Sequence, residues 1–141
     1  MLKPLGLNKK KGNMKDTKPP SENELTLTRM AVVAASFAFG VEDYEIMKVP
    51  RGHERITKAR QTVYWLLRKT GMTYPRIGAT MGKDHVSAIH GVKNIENILD
   101  LGIKDGYSVC IGNAFTHFKE FYAPHREKEK ERMIERMENV I

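Results

Sequence analysis

The chain has 141 residues, a net charge of +7 and a single cysteine. That length suits about one domain with tails, enough to bury roughly two thirds of its unfolded surface. No apolar run approaches the roughly 20 residues of a membrane span and the N-terminus lacks the apolar core of a secretory signal, which excludes a membrane partner and points to a cytoplasmic protein, while Cys110 alone gives neither an internal disulfide nor a thiol cluster for zinc.

Residues 1–20 carry six lysines against Asp16, and 1–22 include Pro4, Pro19, Pro20, Gly6 and Gly12. Too little apolar content is present to offset the entropy of ordering, so they are expected to form a flexible basic tail. A helical domain is expected over 23–122. From Glu24 to Phe39, small and apolar residues fall at helical spacing and end at Gly40, a helix stop. A short helix over Glu42 to Met47 follows, then a basic loop from Lys48 to Arg55 containing Pro50 and Gly52. Ile56 to Thr70 has the clearest helical pattern, with Ile56, Ala59, Val63, Leu66 and Leu67 on one stripe and Arg60, Tyr64 and Arg68 on another, ending at Gly71. Tyr64 and Trp65 are read as packing residues.

Thr73 is an N-cap for the next short helix, with Pro75 in its first turn, where a missing N–H costs little. Gly78 inside that helix costs about 1 kcal/mol against alanine, which implies close approach of a neighbouring backbone. Gly82 supplies a turn, and Asp84 caps a helix running to about Asp100, with Ala88, Val92, Ile95 and Leu99 facing the core and Val86, His90, Lys93 and Asn97 facing outward. Two helices joined by a tight glycine turn, the second opening with polar residues, have the layout of a helix-turn-helix, whose second helix enters the DNA major groove. The charge supports this: between Lys48 and Lys93 lie ten Lys and Arg against only Glu54 and Asp84, a net +8, whereas 21–47 and 94–123 are acidic and 124–141 is balanced. Leu101-Gly102 closes the reading helix. A last core helix is expected over Tyr107 to Tyr122, with a stripe of Tyr107, Ile111, Ala114, Phe115, Phe118 and Phe121, stopped by Pro124. Residues 123–141 are expected to form a charged helix or tail with Met133, Ile134, Met137 and Ile141 on one side. A solvated tail is favoured there over a partner helix.

Residues from about 30 to 121 resemble the C-terminal DNA-binding domain, domain IV, of the bacterial replication initiator DnaA. Three pieces carry the resemblance: Ala59-Arg60-Gln61, Pro75-Arg76-Ile77-Gly78, and Gly82-Lys83-Asp84-His85 with Ser87, Ile89 and His90. The last is the most specific, because that family reads its site through a Gly-Arg-Asp-His-Thr-Thr run. The resemblance implies that Lys83 takes the place of the family's arginine, that Asp84 and His85 match its base-contacting pair, and that Val86 and Ser87 stand where it has two threonines. It also puts Arg51 near a family arginine that enters the minor groove. One glycine of the turn is missing here, and lysine replaces a bidentate reader, so the preferred sequence is expected to differ from the family's usual one. No ATPase domain or complete phosphate loop accompanies the motif, which points to a phage or mobile-element protein or a regulator of initiation.

The expected DNA contacts are therefore Arg51, Lys58, Arg60, Lys83, Asp84, His85, Val86, Ser87, His90 and Lys93. Asp84 has two compatible roles, the N-cap and acceptance of a hydrogen bond from cytosine N4. His85 and His90 are five residues apart, which does not align two ligands on one helix face, and no metal or cofactor is implied. The expectation is an all-α, single-domain, non-enzymatic protein that binds double-stranded DNA with sequence preference. Two rivals remain: a structured-RNA binder, and a protein-interaction adaptor that keeps the fold without DNA binding.

Overall fold

The computed structural model describes residues 18–50, 53–102 and 106–140, and six α-helices lie among them. The first, α1 (Glu22–Phe39), starts where Ser21 and Glu24 form a reciprocal capping box, and Gly40, at φ +66°, ends it. It begins two residues earlier than the apolar spacing suggests, because the box and not the first leucine sets the start. Its Leu27, Ala31, Ala34, Ala35 and Phe39 are buried. The short α2 (Asp43–Lys48) buries Ile46 alone.

The central element is α3 (Glu54–Lys69), which packs against every other helix. Thr62 to Leu67 are all buried, so this helix is enclosed all round over nearly two turns, and both Tyr64 and Trp65 belong to the core. Next come α4 (Tyr74–Met81) and α5 (His85–Asp100). Thr73 takes the N-cap position of α4 in extended backbone, yet its hydroxyl makes no capping hydrogen bond, and Pro75 occupies the first turn.

The last helix, α6 (Gly106–Val140), does not stop at Pro124 but runs through it. A proline inside a helix lacks one N–H and crowds the carbonyl four residues back, here that of Glu120. Both residues are exposed, so water can satisfy that carbonyl and the break that a buried site would force is avoided. The first half of α6 packs along α1 and α3, burying Ile111, Ala114 and Phe118. Phe121, expected in the core stripe, is 37% exposed at the edge of the α1–α6 seam, and Leu99 in the last turn of α5 is 39% exposed. From Arg126 to Asn139 the helix is almost wholly exposed.

Candidate nucleic-acid interface

The site is built by α4, the glycine turn and α5. Gly82 caps α4 in the left-handed region at φ +67°, its N–H donating to the Gly78 carbonyl, and the Lys83 N–H donates to the same oxygen at 2.9 Å. This bends the chain sharply enough to start a new helix two residues later. A Cβ at Gly78 would lie 2.6 Å from the Lys83 carbonyl oxygen and 3.2 Å from the His85 nitrogen, so only glycine allows the turn to close this tightly on α4. The close backbone approach implied by a glycine inside α4 is therefore real.

Asp84 caps α5, its Oδ1 accepting the Ser87 N–H at 2.8 Å. Hydrogen bonds from Ser87 hold the carboxyl below its ordinary range, so it stays ionised and able to accept. Ala88, Gly91, Val92 and Ile95 are buried, which fixes the rotation of the helix about its axis. The opposite face presents Val86, His90, Lys93 and Asn97 to solvent, while Asp84, His85 and Ser87 are exposed in the first turn and Lys83 is half-buried at the turn before it. An exposed valine, two imidazoles, a carboxylate, a hydroxyl and an ammonium on the first three turns match what a groove requires: donors, acceptors and an apolar contact for a thymine methyl. Among the described residues, no group of three His, Cys, Asp or Glu side chains could hold a metal ion.

Other residues expected at the interface fare differently. Arg51 lies outside the described residues. Lys58 is half-buried, with its ammonium 3.9 Å from Glu54 one turn earlier on α3. Arg60 is a correction: it is only 8% exposed and its guanidinium donates to the carbonyls of Ile46, Glu45 and Val49, closing α2 and the following loop onto α3. With Nε and Nη2 turned inward onto these carbonyls, Arg60 braces the fold, a role that the sequence reading did not give it. The same habit extends along the basic segment. Arg55 donates to the Phe39 carbonyl and Arg68 to that of Met72, while Arg76 grips Glu24 at 2.6 and 2.9 Å and the carbonyls of Lys18 and Pro19.

Two pairs that seat α5 on α3 are not apparent from apolar periodicity. Gly91 presents bare backbone to the ring of Tyr64, and Asn94 donates to the Gln61 side chain at 2.7 Å. Gly91 could have been found by the reasoning that applies to Gly78, since a glycine inside a helix demands a compensating close approach.

This arrangement defines a helix-turn-helix protein. Residues 30–95 match the family described as the bacterial DnaA protein helix-turn-helix, and over that segment the chain is similar to DnaA domain IV, a DNA-binding and not a catalytic module. The match thus suggests DNA binding for this chain. No curated protein and no solved structure matches it. No helix among the described residues is long and apolar enough to cross a membrane.

Proposed function

We propose that the protein binds double-stranded DNA with sequence preference by laying α5 in the major groove, and that it acts in replication initiation or its regulation in the cytoplasm. The observation that carries this reading is the run of exposed polar side chains on the first turns of α5, presented by a turn that Gly78 and Gly82 hold in shape. In it, Asp84, His85, Val86 and Ser87 contact base edges. Lys58, Lys83, His90 and Lys93 contact phosphates or flanking bases, and Arg51 enters the adjacent minor groove.

Selecting duplexes from a random library tests the reading directly, and two substitutions separate reading from positioning. His85→Ala removes a base contact and is expected to cost about 1–3 kcal/mol on the selected duplex and little on random duplex. Lys93→Ala removes a phosphate contact, so both duplexes weaken alike and the salt slope becomes shallower by about one unit. Both side chains are exposed and neither belongs to the buried stripe of Ala88, Val92 and Ile95. If both variants bind every duplex as the parent does, α5 does not face DNA. Equal affinity for RNA hairpins would instead favour the structured-RNA reading, and no nucleic-acid binding at all the adaptor.

A further inference from the structure

We infer that Tyr64 is a positioning residue for DNA recognition: its ring edge, seated against the backbone of α5 at Gly91, sets the tilt of that helix and with it the sequence preference. The inference rests on the proposed DNA-binding reading. An α-carbon substituent at Gly91 would stand 2.6 Å from Tyr64 Cδ2, 3.2 Å from Tyr64 Cε2 and 3.2 Å from Gln61 Cγ. The ring is 3% exposed, so it cannot swing into solvent to make room. One turn further along, the Asn94–Gln61 hydrogen bond of 2.7 Å joins the same two helices.

These contacts give α5 two separate supports. Its N-terminal end is held by α4 through the bare backbone of Gly78, and its middle by α3 through the bare backbone of Gly91. Two supports along a rod fix its angle. A Cβ at Gly91 would lift the middle of α5 from α3 while the N-terminal end stays tied to the turn, so the helix pivots. The pivot turns the side chains of Asp84 to Ser87 relative to the base edges they read, and it carries His90 and Lys93, beside the lifted point, along with the helix. Hydrogen bonds to base edges are steep in angle and distance, whereas an ammonium on a four-carbon stem follows a phosphate through such a shift. The loss therefore falls on preference and spares sequence-independent binding. Tyr64 does this without touching DNA, since it is buried beneath the helix.

The experiment titrates the parent chain, Gly91→Ala, Tyr64→Phe and the double variant Tyr64→Val/Gly91→Ala with the library-selected duplex and with a random-sequence duplex, and records circular dichroism for each. Gly91→Ala is expected to lose about tenfold or more on the selected duplex and to stay within about threefold on random duplex, with the salt slope unchanged. Tyr64→Phe keeps the ring and binds as the parent. Valine at position 64 ends at Cγ, one atom short of the ring carbon that blocks the new Cβ, so the double variant regains most of the lost preference. A Gly91→Ala variant that binds both duplexes as the parent does, or weakens equally on both, overturns the inference. Should Gly91→Ala not fold, the double variant decides: a restored fold with parental preference supports the inference, and anything else overturns it. A parent chain that binds neither duplex refutes DNA binding itself, which is a distinct outcome.

Discussion

Arg60 shows how one residue type serves two opposite ends. In sequence, an arginine on a long helix within a basic segment looks like a phosphate ligand, and nothing in the spacing says which way its guanidinium turns. Its partners are three main-chain carbonyls contributed by Glu45, Ile46 and Val49, eleven to fifteen residues earlier, and only the folded chain brings them together. Arg60→Ala is accordingly expected to destabilise the fold by about 2–4 kcal/mol, since it strands buried acceptors, and a denaturant melt would reveal this before any DNA is added. A variant as stable as the parent would return Arg60 to the list of DNA ligands. Glu24 carries a related signature. The Arg76 guanidinium bonded to it holds its carboxyl below the ordinary range. Because the folded state then binds fewer protons than the unfolded one, this stabilisation is present above about pH 4 and is lost as pH falls through the depressed folded value. Glu24→Gln should flatten the loss of thermal stability between about pH 5 and 3, and an unchanged acid limb would show that the Arg76 contact contributes nothing.

At the level of elements, the helices and the turn were legible because they rest on local rules. The Asp84 cap, the left-handed glycines at 40 and 82, and the buried stripe of α3 all follow from residues within a few positions of one another, whereas the equally local box of Ser21 and Glu24 goes unread beside the lysine-rich run before it. The failures share a cause as well. Whether Pro124 ends a helix depends on whether water reaches the carbonyl it frees, and whether Leu99 and Phe121 are covered depends on how far neighbouring helices extend, and none of this is local. Gly78 lies between the two cases, since its cost in a helix is a local signal and its reason is a tertiary one. Gly78→Ala would set a methyl 2.6 Å from the Lys83 carbonyl oxygen, which is main chain and cannot step aside. The turn must then open, and the expected loss is about 1–3 kcal/mol together with the preference for the selected duplex. A stable variant with parental binding would mean that the two helices of the motif are not held by this contact.

For the whole molecule, the distribution of charge asks for a division between field and contact. The Lys48 to Lys93 segment carries a net +8, but the arginines described within it, Arg55, Arg60, Arg68 and Arg76, each donate to main-chain carbonyls and brace the fold. Their charge still raises the local potential that draws a polyanion in, while each commits at least one guanidinium N–H to the fold. Point contacts to phosphate then fall mainly to lysines, chiefly Lys58, Lys83 and Lys93, with Arg51 as a fourth candidate. The N-terminal lysines are a separate resource. Lys18, Pro19 and Ser21 are engaged with Arg76 and the start of α1, so the cut that spares the fold falls after residue 17 and not after residue 22. Counterion release makes log affinity linear in log salt with a slope of about −0.9 per phosphate neutralised, which for three or four contacts predicts about −3 once residues 1–17 are removed. The full chain should be steeper on random duplex by whatever the lysines among those residues contribute, at nearly unchanged thermal stability. A slope of about −7 for the truncated chain would mean that the bracing arginines also reach phosphates, and a flat response would remove DNA as the partner.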